Sequence, residues 1–209
     1  VAAVNDAPVG VNDTGSAAED TAATGNVLIN DTDIENNSLS VTQFTVDGDD
    51  TVYTITDVLA ASSTAVIDGK GTITVGRDGS YTFTPVANYN GAVPTLTYTV
   101  TDGTATATST LSITVTAVND NPVGVADSFS FSRNVVSTGN VLSNDSDADG
   151  DALSVTNFTV TGFRVFNMSS TIVGKGVLTF NTNGTFTFTP VAGWFGTLPA
   201  ITYTVSDGK

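Results

Sequence analysis

Apolar and polar residues alternate along most of this chain with a period of two, and no stretch sustains the three-to-four spacing of an amphipathic helix. In TATATSTLSITVTAV, residues 104–118, one face carries Ala105, Ala107, Ser109, Leu111, Ile113 and Val115, and Thr fills most of the other. TLTYTVT and SYTFTP alternate likewise, as half-buried strands do. The branched Cβ atoms of the many Thr and Val residues suit a pleated surface. Arg77-Asp78-Gly79 and Thr182-Asn183-Gly184 predict hairpin turns, because Asp-Gly and Asn-Gly tolerate the positive φ such turns need. Within the first half of the chain, strands are expected to start near Val9, Asn26, Leu39, Val52, Thr72, Ser80 and Leu96. The long run from Thr104 follows as an eighth strand or a split pair. Gly-Asn-Val-Leu, at 25 and again at 139, is read as opening a strand that leads into an acidic loop.

This pattern occurs twice. Residues 1–48 recur as 115–162 with more than half of the positions identical, and 69–103 recur as 174–208. The first spacing is 114 (Val115 against Val1) and the second 105 (Gly174 against Gly69), so the second copy is shorter by 114 − 105 = 9 residues between Gly162 and Gly174. A repeat of this length is a domain rather than a solenoid unit. The expected organisation is one repeat over 1–118 and a second over 119–209. The fold class predicted is all-β: two tandem antiparallel Greek-key β-sandwiches. Repeat 2 stops at Lys209, where repeat 1 has Thr104, so its final long strand is expected to be missing. Unpaired edges would result. Either the sequence stops short of that strand or another segment supplies it.

Composition narrows the chemistry. With 6 Lys+Arg against 21 Asp+Glu, the net charge of −15 leaves no basic patch for nucleic acid or anionic lipid. Cys and His are both absent, which removes disulfides, thiol nucleophiles, imidazole bases and the usual zinc sites. At 40% hydrophobic residues the chain can bury a core. No signal peptide and no apolar run of about 18 residues is present, so the sequence reads as an internal fragment of something longer, with no membrane insertion.

The acids concentrate in two matching loops. NDSDADGDALS, 144–154, places Asp145, Asp147, Asp149 and Asp151 at alternate positions, and NDTDIENNSLS, 30–40, is the earlier copy. Alternate carboxylates in a short polar loop repel one another unless a hard cation sits among them, and Ca²⁺ takes six to eight oxygen ligands of this kind. An EF-hand is a poor match: counting from Asp145, Gly150 is correct at position six, but position twelve is Thr156 where a bidentate Glu belongs. Paired carboxylates also serve glycosidases, yet these acids cluster with metal spacing, and no enzyme activity is expected. Tyr89 and Trp194 occupy matching positions in VANYNG and VAGWFG, either to stack on a sugar or to plug the end of their own sandwich, and the plug is favoured. Phe163 and Phe166, in the shortened GFRVFNMSS segment, are open to the same two readings, and core packing is favoured.

AEDTAATGNVLINDTDIE followed by YTVTDG and AVNDNP resembles the cadherin-like, Ig-like tandem repeats of large bacterial cell-surface adhesins, of the RTX and biofilm-associated kind. The resemblance covers the whole chain. It implies an extracellular protein in which Ca²⁺ sits at the joints between neighbouring repeats. Its ligands would come from a linker, a DxD loop, a later Asp of the same repeat and a Glu of the preceding one. Carried over, the set before repeat 2 is Asp120, Asn121, Asp147, Asp149 and Asp207, with Asp145 alongside. For repeat 1 it is Asp6, Asp31, Asp33, Glu35 and Asp102. Glu19 would reach the linker at Asp120. Asp147 and Asp149 are read as the main ligands of the loop, whereas Asp145 and Asp151 are read as shaping or solvating its turn. Ala7 stands where repeat 2 has Asn121, so the first site should be weaker, and Arg133 replaces Glu19 in repeat 2. The implied function is a monomeric, calcium-rigidified spacer that projects an adhesive tip for adhesion or biofilm formation. The alternatives are a carbohydrate- or protein-binding module, or a split repeat carrying an inserted ligand-binding domain after Lys209.

Overall fold

The computed structural model describes residues 4–55 and 61–209. Two compact units divide it, Val1–Val118 and Asn119–Lys209. Every regular element described is a strand.

Unit 1 contains β1 (Asp13–Ala18), β2 (Ala23–Asn26), β3 (Ser40–Val46), β4 (Tyr53–Thr54), β5 (Ser62–Ile67), β6 (Gly71–Gly76), β7 (Ser80–Pro85), β8 (Gly91–Ala92), β9 (Leu96–Thr101) and β10 (Thr106–Thr116). One sheet runs β1-β10-β9-β3-β4, with β8 also on β10, and the other runs β2-β7-β6-β5. The period-two face of β10 turns inward as expected: Leu111, Ile113 and Val115 are all 2% exposed or less. Between the sheets they meet Phe44, Ile73, Phe83 and Tyr98. Full burial of one such large apolar side chain stabilises the fold by about 1.5–3 kcal/mol.

Three local readings change. The strand placed near Val9 begins at Asp13, and Val9 instead makes an isolated bridge to Thr32. Gly25-Asn26 and Gly139-Asn140 end strands rather than open them. The run from Ser62 is a strand that the sequence pattern did not reveal. The strand expected from Val52 is seen as β4, and the stretch 56–60 beyond it lies outside the described residues. One pairing is parallel, that of β1 with β10. The β6–β7 hairpin turns at Arg77–Gly79 as expected, with Gly79 at φ +81° and Asp78 Oδ1 accepting the Ser80 N–H at 3.1 Å. The repeated Gly-Lys-Gly has its own cause. A Cβ on Gly71 would lie 2.2 Å from the Thr84 carbonyl oxygen, and one on Gly176 would lie 2.3 Å from that of Thr189. Only glycine lets these strands pass so closely.

Unit 2 contains β11 (Ser137–Asn140), β12 (Ser154–Val160), β13 (Ser169–Ile172), β14 (Gly176–Phe180), β15 (Thr185–Pro190) and β16 (Ile201–Ser206). Its sheets run β11-β15-β14-β13 and β12-β16. The core is aromatic: Phe158, Phe180, Phe186 and Phe188 are buried, with Phe131 edge-on to Phe188 at 5.0 Å. Trp194 is 9% exposed and meets Phe188 edge-on at 5.2 Å, and Lys175 Nζ lies 5.8 Å from its ring centre. Tyr89 packs in the same place on unit 1 and donates its hydroxyl to the Ala92 carbonyl. Both rings therefore plug their own sandwiches. Phe163 packs on the core, whereas Phe166 is 78% exposed and does not, because the shortened segment turns it out at the Phe166–Ser169 bridge.

Candidate metal centre in each unit

In unit 2 the loop after β11 folds around Asp147. Its Oδ1 accepts the N–H groups of Asp149 at 3.0 Å and Asp151 at 3.1 Å, and Gly150 supplies the positive φ (+76°) that the tight turn needs. Its Oδ2 is buried and has no hydrogen-bond donor. Carboxylate oxygens of Asp147, Asp149 and Asp151 lie within 4.8 Å of one another. At that spacing each pair of charges repels by about 1 kcal/mol in water and by several times as much near a protein surface. Lys209 Nζ, 3.2 Å from Asp151 Oδ2, offsets part of it.

The linker is sewn onto this loop. Val123 and Ser146 exchange N–H···O bonds of 2.8 and 3.1 Å. The Asp120 N–H donates to Asp149 Oδ2 at 2.8 Å. Asn119 Nδ2 donates to Asp207 Oδ2 at 2.7 Å and to the Asp120 carbonyl at 3.0 Å. The Asn119 amide and the Lys209 N–H hold the Asp207 carboxyl below its ordinary range, so it is poised as an anion. Linker, acidic loop and strand end thus converge, although they lie far apart in sequence.

Unit 1 repeats the arrangement with weaker charge. Asp33 Oδ1 accepts the N–H groups of Glu35 at 3.0 Å and Asn37 at 2.9 Å, and Asp33 Oδ2 is again buried without a donor. Asn36, at φ +59°, stands in for Gly150. Asn5 Nδ2 donates to Asp102 Oδ2 at 2.8 Å, and the Asp6 N–H reaches Glu35 Oε2 at 3.4 Å. Asp102 is depressed chiefly by the Ala105 N–H, then by Asn5. Asn37 occupies the position of Asp151, so this loop holds one carboxylate fewer.

Three residues of the sequence-derived set have other partners. Asp31 and Asp145 do not join the loop clusters. Asp31 Oδ1 accepts the Val11 N–H at 2.7 Å and faces the Tyr98 hydroxyl, and Asp145 does the same with Val125 and Tyr203. Burial pushes the Asp31 carboxyl up. Glu19 is buried at the end of β1. Its Oε1 accepts the Val118 N–H and its Oε2 the Asn90 amide at 3.4 Å, both within unit 1. Asn121 is exposed. The sequence reading passed over Asn5 and Asn119, whose signal was the VND shared by both linkers, and it set aside Asp151.

The side chains gathered at each loop are carboxylates, and each loop carries a buried carboxylate oxygen lacking a donor. That chemistry fits a hard divalent cation such as Ca²⁺. Asn119→Ala is expected to release the linker without touching the loop. Amide exchange at Asp120 and Val123 should accelerate, while that of β14 and β15 stays as in the wild type. Unchanged Asp120 exchange would show that Asn119 holds nothing.

A model of the bacterial cadherin-like domain matches residues 5–117 and again 119–209. Among solved structures, Drosophila N-cadherin EC1-4 aligns at TM-score 0.50 and 13% identity, covering 90% of this chain and 42% of that one. Human protocadherin-24 EC1-2 aligns at TM-score 0.49 and 14% identity, over 97% of this chain and 93% of that one. An endo-fucoidan hydrolase of glycoside hydrolase family 107 aligns at TM-score 0.33 and 16% identity, over 88% of this chain and 24% of its own, too weakly to carry an argument. A search of curated proteins returns no match.

Proposed function

Because the chain belongs to the bacterial cadherin-like domain family over both of its units, we propose that it is a calcium-stiffened spacer of a bacterial cell-surface adhesin, a mechanical part with no reaction of its own. The observation that carries this reading is the repetition of one oxygen cluster. In each unit the incoming linker, the acidic loop and the Asp that follows β9 or β16 meet around a carboxylate held by its backbone contacts.

In this reading Asp147, Asp149 and Asp207, with the linker oxygens of Asp120, hold Ca²⁺ before unit 2. Asp151 joins them or hands its place to Lys209. Asp33, Glu35, Asp102 and Asp6 do the same for unit 1, more weakly. Bound Ca²⁺ supplies charge neutralisation. The residues themselves supply geometry: Asp147 and Asp33 fix the loop by one oxygen and offer the other. Pro122 limits the linker further by fixing one φ. Extracellular modules of this kind bind Ca²⁺ with Kd of roughly 10⁻⁴–10⁻³ M, so seawater or host fluid would load the site and cytoplasm would not.

Small-angle X-ray scattering tests the stiffening. Adding EGTA to the protein in millimolar Ca²⁺ should raise the interdomain flexibility read from the scattering profile. Identical curves in Ca²⁺ and EGTA would sink the proposal.

A further inference from the structure

The shortening between Gly162 and Gly174 changes one edge of unit 2, on the side of β12 that faces away from β16. In unit 1 the chain leaves β3, returns beside it as β4 and closes that edge. Phe44 pairs with Tyr53, their rings stack at 5.0 Å, and the Ile55 N–H donates to the Thr42 carbonyl at 2.8 Å. In unit 2, β12 is followed by one bridge, Val160 to Phe163, and the chain then crosses to the other sheet. There the Arg164 carbonyl accepts the Ser170 hydroxyl at 2.9 Å. Phe166 bridges Ser169 in a turn whose central residues, Asn167 and Met168, stand at φ +47° and +56°. β12 keeps β16 as its one strand partner among the described residues. Exposure agrees with an open edge: Thr156, Asn157 and Thr159 are exposed where their counterparts Thr42, Gln43 and Thr45 are half-buried.

The hydrogen-bonding direction alternates along a strand. The Thr161 N–H donates to the Ala200 carbonyl on the β16 side, and the Val160 carbonyl accepts the Phe163 N–H on the other. Phe158 therefore turns its N–H and C=O to the open side. Such an edge is a template for another strand, and proteins blunt it with Lys, Pro or inward-pointing charge. Here nothing blunts it. The stretch from Ala152 to Phe163 holds no charged residue and no proline, in a chain of net charge −15.

We propose that this edge is a docking surface for a second copy of the chain, the two β12 strands pairing antiparallel about a two-fold axis at Phe158. Charge selects this occupant. A basic strand is drawn to the acidic loops and an acidic one is repelled by the whole molecule, whereas a second copy brings the same neutral run to the contact. The register is also self-complementary. With Phe158 opposite its equivalent, the N–H and C=O of each copy meet those of the other, and Asn157 of each copy faces Thr159 of the other, an amide against a hydroxyl. The same edge of unit 1 is taken by β4. A strand pair this short buries less than the ~1,200 Å² of a standard interface, so a dissociation constant of about 10⁻⁴ M is expected. The chain is then a weak dimer rather than the monomer that the sequence resemblance implies.

Sedimentation velocity of the full chain, in Ca²⁺ and in EGTA, tests the pairing. The wild type should shift toward dimer over about 0.01–1 mM in both media, since no residue of the edge belongs to the metal centres. Asn157→Lys with Thr159→Lys sets like charges across the two-fold axis and should weaken association by about tenfold or more. Asn157→Glu with Thr159→Glu should do the same. Mixing the two double variants sets Lys against Glu at both contacts and should restore a mixed dimer. Both positions are exposed, so the core is spared. A wild type that stays monomeric at about 1 mM overturns the docking surface. So does a Lys variant that associates as the wild type does, or a mixture that stays monomeric. Association present in Ca²⁺ and lost in EGTA would give the contact to the acidic loops and overturn the edge as well.

Discussion

Calcium at 10 mM is expected to raise the melting temperature of unit 2 well above its value in EGTA, and Asp147→Asn should erase most of that rise. A ligand bound only by the native state stabilises it by RT ln(1 + [L]/Kd). For Kd of roughly 10⁻⁴–10⁻³ M that is about 1.4–2.7 kcal/mol per site. For a domain of this size the shift is roughly 6–20 °C. Asparagine is the informative replacement. Its side-chain carbonyl can still accept the Asp149 and Asp151 N–H groups, as Asp147 Oδ1 does, but an amide stands where the donor-less Oδ2 lies. Without calcium the variant should be as stable as the wild type or slightly more so, because one charge leaves a crowded group. Calorimetry at matched ionic strength separates binding from the screening of a net charge of −15. Unit 1 should respond less, since Asn37 stands where unit 2 has Asp151. A wild-type response from Asp147→Asn would remove Asp147 from the site.

How much of this was legible in the sequence depends on the range of the interaction. The inward face of β10 and the Asn-Gly and Asp-Gly turns are local, so period and turn chemistry were enough. The second copy of each loop then turned a common acidic pattern into a specific one. Pairing of β1 with β10 is parallel and joins residues almost a whole unit apart, which no local period encodes. The division of labour among the four alternating aspartates was legible only in part: Asp147 and Asp149 were set apart from Asp145 and Asp151, whereas the cluster in the structure takes in Asp151 as well. Asp145 and Asp147 have the same parity, yet one faces Tyr203 and the other caps its own loop. What separates them is the Val123–Ser146 bridge, formed with a segment some twenty residues earlier. Asn119 was passed over because its partner, Asp207, lies at the far end of the unit.

Tyr98→Phe is expected to cost unit 1 about 1–3 kcal/mol while leaving its calcium response intact. The hydroxyl is buried among the carbonyl oxygens of Val11 (3.3 Å) and Val27 (3.0 Å) and the carboxylates of Asp13 (2.8 Å) and Asp31. Removing it leaves buried acceptors without their donor, and that desolvation penalty is about 1–3 kcal/mol. Tyr203 makes the same set of contacts in unit 2, to Val125, Asp127, Val141 and Asp145. Its ring is half-buried beside an open groove, so water can replace its hydroxyl, and Tyr203→Phe should cost less than Tyr98→Phe. Denaturant unfolding of both variants, with and without Ca²⁺, separates two roles for the first aspartate of each loop. If Asp31 and Asp145 brace the tyrosine, stability falls in both media by the same amount. If they are calcium ligands held in place by the tyrosine, the loss grows when Ca²⁺ is present. Equal losses assign the first aspartate to the fold and the later ones, Asp33 and Asp147, to the cation.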